Sequence, residues 1–187
     1  WSLTERPGYL RLKTNKVVPS IFHARNTLTQ RMEGPLCEAT VALDLKRMKD
    51  GDVAGFSAFN SDAAVLAVTK RGGKLYLTMS EESVRLSNDT KAITGVEKKV
   101  REEIPLKTKK IYLRIEGDFR PGETKDIIKC SYSLNNKKWH RIGPDYRTGF
   151  DWQRFFMGTK FAIFNYATQR EGGYVDVDWF DYSRDNQ

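Results

Sequence analysis

Asp176 and Asp178 stand two residues apart in the run Val175-Asp176-Val177-Asp178-Trp179, and in an extended strand that spacing puts both carboxylates on one face. Paired carboxylates suit glycoside hydrolysis when they face each other across a groove, about 5 to 9 Å apart. Alternation with Val175 and Val177 instead reads as outward acids on a half-buried strand, and no Glu-x-Asp-x-x-Glu pattern accompanies them. A bulge near Asp178 would return Phe180 to the face of Val175 and Val177. It would also free the Asp178 carboxylate for a hard cation, with structural calcium as the candidate.

Other reactive constellations are missing. The two histidines, His23 and His140, have no second His or Cys at metal-ligand spacing. There is no GxSxG elbow, no GxxxxGK[ST] phosphate loop and no GxGxxG, so nucleophilic hydrolases and nucleotide enzymes lose their usual local signals. Cys37 and Cys130 lie far apart, in or beside strand-like runs, which leaves either two buried thiols or one bridge.

Binding chemistry is better represented. The chain carries 4 Trp, 8 Tyr and 10 Phe, and exposed rings flanked by polar side chains are what a sugar stacks on. Phe161, Phe164 and Tyr166 belong to an apolar run and read as core, whereas Phe22, Tyr146, Phe150 and Trp152 fall in long connections, where anchoring and ligand contact are both open. Asn26, Thr27, Thr29, Gln30 and Arg31 crowd donors and acceptors into six positions, enough to tie down an irregular loop or to bind hydroxyls.

The elements that position these residues are strands. Short alternating runs bounded by Gly, Pro, Asn and Asp predict strands at 9–13, 38–45, 53–60, 63–70, 74–79, 110–118, 127–134, 139–142, 156–166 and 173–182, with almost no helical periodicity. Arg71-Gly72-Gly73-Lys74 and Leu134-Asn135-Asn136-Lys137 predict hairpin bends. The pattern fits one all-β domain over residues 1–187, a two-sheet antiparallel β-sandwich with Val41, Leu43, Ile111, Leu113, Ile115, Phe161 and Ile163 between the sheets. Residues 20–35, 82–105 and 143–154 read as long connections.

Composition narrows the partners. With 39% apolar and 30% charged residues the chain has enough burial for a core. Its formal charge of +8 comes from bases interleaved with acids, as over Glu97 to Glu103, rather than from a basic arm or helix, so nucleic acid is not the expected partner. No run approaches the length of a membrane-spanning helix, and the Trp1 start, with no signal-like segment behind it, reads as a processed or excised piece.

Particular runs carry more than composition does. Ala24 to Arg31 with the Gly-Pro turn that follows, Ala39 to Asp44, and Met48 to Gly55 resemble the C-terminal domain of family 43 glycoside hydrolases, and Phe161 to Thr168 with Gly172 to Phe180 resemble its closing strands. The resemblance implies a concanavalin-like (jelly-roll) sandwich that follows a catalytic five-bladed propeller in β-xylosidases and arabinofuranosidases. The propeller's carboxylates are not in this chain, so the domain is expected to be non-catalytic. Its expected roles are binding xylan or xylo-oligosaccharide, or docking on the propeller to complete that active site. In some relatives a sandwich aromatic reaches over the propeller's pocket, and Phe22 is the position matched to it. The residues expected to meet sugar are Phe22, Asn26, Gln30, Arg31, Tyr146 and Trp152. Contact with xylan would place the protein outside a bacterial cell or on its surface, whereas trimming of short oligosaccharides would allow the cytoplasm.

Overall fold

A computed structural model describes residues 1–185 and contains thirteen strands and one short 3-10 helix, Ile21–His23. The strands are β1 (Leu10–Lys13), β2 (Thr27–Arg31), β3 (Leu36–Asp44), β4 (Asp52–Phe59), β5 (Asp62–Arg71), β6 (Lys74–Leu86), β7 (Ile93–Leu106), β8 (Lys110–Asp118), β9 (Ile127–Ser133), β10 (Trp139–Arg141), β11 (Tyr146–Arg147), β12 (Lys160–Ala167) and β13 (Tyr174–Asp185). They form two antiparallel sheets. One is seven-stranded in the order β1-β13-β3-β8-β9-β10, with β11 also paired to β9; the other is six-stranded in the order β2-β12-β4-β5-β6-β7.

Alternation explains the faces. In β8, Ile111, Leu113 and Ile115 are fully buried between the sheets while the residues between them lie partly open. From the six-stranded sheet, Phe56 and Phe161 meet them with stacked rings 5.7 Å apart. A second, smaller cluster lies on the other face of that sheet. There Val18 and Ile21 cover Val53, Val65, Phe164 and Tyr166, so the sheet is apolar on both sides. Gly72 and Gly73 both adopt positive φ in the β5–β6 turn, and Asn136 does so in the β9–β10 bend.

The structure corrects two of the three long connections. Residues 27–31 and 93–106 are strands, and they are the two edges of the six-stranded sheet. Edge strands with one exposed side are commonly built from polar and charged residues, which protects them from pairing with other chains. The charges of β7 are matched across β6: Lys98 pairs with Glu82, Arg101 with Glu81 and Arg71 of β5 with Glu103. The two cysteines are free and buried, and burial pushes their thiols up to about 11 for Cys37 and about 12 for Cys130.

Gly55 leaves no room for a side chain between β4 and β5. A Cβ there would lie 1.9 Å from the Leu66 carbonyl oxygen. Gly55→Ala must therefore push these central strands away from each other, and its expected cost is about 2 kcal/mol or more in urea unfolding. A midpoint unchanged from the parent protein would contradict that packing.

Candidate functional site

β13 carries the bulge that the sequence makes conditional. Its register on β3 shifts between Val177 and Trp179, so Val175 and Val177 are buried in the core before the shift, and after it Tyr182 packs against the core while Phe180, 36% exposed, lies at its rim. Phe180 meets Phe56 at 6.1 Å and Tyr182 meets Phe161 at 5.8 Å. Asp178, at the shift, accepts a 2.7 Å hydrogen bond from Lys110 Nζ. Calcium requires several oxygen ligands, and among the described residues no group of three or more His, Cys, Asp or Glu is placed to hold a metal.

Asp176 faces away from the core, as alternation with Val175 and Val177 requires, but it is closed to solvent because arginines cover it. Arg11 donates through Nε and Nη2 at 2.8 and 3.0 Å, and Arg6 Nη1 bridges Asp176 and its cross-strand partner Asp44 at 2.9 and 2.8 Å. Burial by itself would raise the Asp176 carboxyl, but the hydrogen bonds from Arg11 and Arg6 outweigh it and hold the group below its ordinary 3.8. Asp176 and Asp178 are thus committed to basic partners rather than to a shared groove.

The expected sugar-contacting residues separate into three environments. Tyr146 is a correction: it sits on β11 at 9% exposure within the main core, so its ring is closed to a ligand. Phe22 is half-buried against Phe59 and Phe155, with ring centroids 5.5 and 6.1 Å away, and anchors rather than projects. Asn26 ties strands together, its side-chain amide donating to the Lys13 carbonyl and its own carbonyl accepting from Asn165 N at 3.1 Å. Gln30 lies on exposed β2, beside a groove of about 550 Å³ at the open edge between the sheets. Only Arg31 and Trp152 come to the same region, the loop from Gly149 to Gly158.

This loop is clamped from beneath. Arg154 donates to both carboxylate oxygens of Asp62, to Ser83 Oγ at 2.9 Å, to the Val84 carbonyl at 3.2 Å and, within the loop, to Asp151 at 2.7 Å. Buried Asn60 donates to the carbonyls of Gly149 and Met157 at 3.2 and 3.3 Å, and Thr148 and Thr159 join their hydroxyls at 2.8 Å across the base. Phe155 packs inward against Phe22 and Phe59. With these groups turned in, three rings are left outward: Phe156 at 84% exposure, Trp152 at 66% and Phe150 at 59%.

Phe150 and Phe156 touch edge to face, with centroids 5.7 Å apart and planes at 67°. Together with Thr29, Arg31 and Lys160 they line an open cleft of about 490 Å³. Three large exposed apolar rings are thus gathered in one hydrogen-bonded loop, a feature uncommon on the surface of a domain with nothing to meet. Arg154, Asn60 and Phe156 were not among the expected residues. The loop's aromatics stand out in the sequence, but the clamp links them to residues some ninety positions away.

Similarity to known proteins places the chain. The family model of the beta-xylosidase C-terminal concanavalin A-like domain matches residues 1–183. The chain belongs to that family. It is 30% identical to a beta-xylosidase from Formosa agariphila over 99% of its own length and 31% of that protein's. A solved bifunctional GH43-CE protein from Bacteroides eggerthii superposes on all of this chain with a TM-score of 0.85 at 35% identity, the match covering 22% of that protein. A GH43 glycoside hydrolase engineered for endo-xylanase and exo-arabinofuranosidase activity gives a TM-score of 0.83 at 31% identity, covering 94% of this chain and 34% of its own. The chain therefore spans about a third or less of these relatives, as a family 43 C-terminal domain does.

Two predictions test the clamp and the arginine fork. Arg154→Met is expected to speed amide exchange across residues 149–158 several-fold while the sheet amides keep their protection; unchanged loop exchange would show that the guanidinium is not what holds it. A carboxyl depressed in the folded state adds stability that is complete above its unfolded value and is lost as pH falls through the folded one. Stability of the parent protein should accordingly decline below about pH 3.8, and Arg11→Leu should reduce the neutral-pH value by about 2 kcal/mol in urea unfolding.

Proposed function

We propose that this domain is the non-catalytic accessory module of a xylan-degrading enzyme and works by presenting the clamped loop 149–158 to the catalytic propeller, where Phe156 contacts the xylan-derived sugar. The observation that carries the reading is the contrast between the loop's rigid underside and its three projecting rings. A side chain held this far into solvent is costly to leave uncovered and well suited to fill a partner's pocket. The role that the resemblance assigns to Phe22 passes to Phe156, because Phe22 is spent on packing the loop from below.

Ring geometry favours docking over a flat sugar platform. Phe150 and Phe156 lie at 67° to one another, so they form no flat platform for a sugar chain. A second reading, direct binding of xylan-type chains by the free domain, is favoured by exposed Trp152 and by the cleft in which Arg31, Lys160 and Thr29 offer hydrogen bonds beside the rings.

Mixing the domain with the catalytic propeller of the same enzyme and following aryl-xyloside hydrolysis separates the two. Docking predicts that the domain raises kcat/KM and that Phe156→Ala removes about tenfold of it without changing the domain's melting temperature. An unchanged rate with Phe156→Ala would sink the docking role. Retention of the isolated domain on insoluble arabinoxylan, weakened by Trp152→Ala, is the result expected of direct binding.

A further inference from the structure

A third concavity lies on the outer face of the six-stranded sheet, lined by residues of β6, β7, β12 and the segment carrying the 3-10 helix. It has a volume of about 400 Å³, within the range of small-molecule pockets, and its walls include Ser20, His23, Glu82, Ile93, Lys98 and Tyr166. Its floor is polar. Glu82 is only 3% exposed; its Oε1 accepts from Ser80 Oγ at 3.1 Å and forms an ion pair with Lys98 Nζ at 3.0 Å. Ser20 Oγ and His23 Nδ1 lie 2.9 Å apart, which fixes the imidazole ring at the rim.

Two polar groups open into the cavity with hydrogen-bonding capacity to spare. Glu82 and Tyr166 are only 3% and 5% exposed, and among the described residues neither the other carboxylate oxygen of Glu82 nor the Tyr166 hydroxyl has a hydrogen-bond partner in the fold. Whatever fills the cavity, a ligand or water, is what these groups meet. The carboxylate needs a donor, and the phenol can both give and take a hydrogen bond. Burial, with the Glu82 charge nearby, raises the Tyr166 hydroxyl and keeps it protonated. A ligand hydroxyl satisfies either group.

The charges narrow the ligand further. Glu82 and Lys98 neutralise one another, so the cavity offers no net field to attract an ion. Ile93 and its neighbours add an apolar wall for C–H faces. We infer that this cavity is a saccharide site, separate from the aromatic loop, that takes one neutral sugar ring or the end of a short chain through Glu82, Tyr166 and His23. This goes beyond the docking role and does not require it.

Titrating the isotope-labelled chain with xylose, arabinose and xylobiose, followed by NMR, tests the site. The expected result is saturable shifts confined to residues 20–23, 80–82, 93–98 and 166 with at least one of the sugars. Tyr166→Phe should weaken binding about tenfold. Ile93→Trp, a rim change that leaves the Glu82–Lys98 pair intact, should abolish it, and Phe156→Ala should leave it unaltered. Absence of saturable shifts with all three sugars at millimolar concentration, or binding that survives Ile93→Trp in a protein with unchanged melting, would overturn the assignment and leave water as the occupant. Loss of the docking effect in Phe156→Ala, with these shifts retained, would bear on the loop alone.

Discussion

The one-residue bulge at Asp178 lets β13 serve both of its neighbours. β13 pairs with β1 at its start and with β3 along most of its length, and its apolar side chains on both sides of the bulge pack toward the core. A strict period of two beginning at Val175 would send Trp179 and Asp181 into the core and Phe180 and Tyr182 out of it. The extra residue resets the phase, so that the rings of Phe180 and Tyr182 close over Phe56 and Phe161. The displaced Asp178 is then neutralised by Lys110, and the preceding Asp176 by two arginines that also bring the N-terminal segment onto the sheet.

The opposite sheet is governed by its edges. It is apolar on both faces at its centre, which leaves β2 and β7 to meet solvent, and both do so with polar or charged side chains. Cross-strand ion pairs then do for β7 what apolar contact does for the inner strands, though surface pairs of this kind contribute little individually. The curl of the β6–β7 hairpin and the covering segment at Val18 and Ile21 produce the polar cavity on the same side. The aromatic loop is a consequence as well: Asp62, Ser83 and Val84, at the ends of β5 and β6, are where Arg154 docks.

This is the arrangement of a family 43 C-terminal domain, which spans about a third or less of its relatives. The carboxylates that resemble a catalytic pair are consumed in structural ion pairs, Asp176 with Arg11 of β1 and Asp178 with Lys110 of β8. The groups left exposed are rings backed by the Arg154 and Asn60 hydrogen bonds, with a cleft beside them lined by Arg31 and Lys160.

How much of this was legible depends on whether the determining interaction is local. Strand interiors such as β8, the hairpin at Gly72-Gly73 and the conditional bulge could be read from the sequence, because period-two alternation and turn chemistry involve neighbouring residues. The family resemblance was legible for the same reason, being carried by consecutive residues. Only the tertiary structure decided that polar Thr27–Arg31 and charged Ile93–Leu106 are strands, since an edge strand is defined by the partner it pairs with. It likewise decided that Tyr146 is core, that Phe22 packs and that Phe156 projects. Those outcomes rest on Asn60, Asp62 and Arg154 meeting across the fold, which no spacing along the chain encodes.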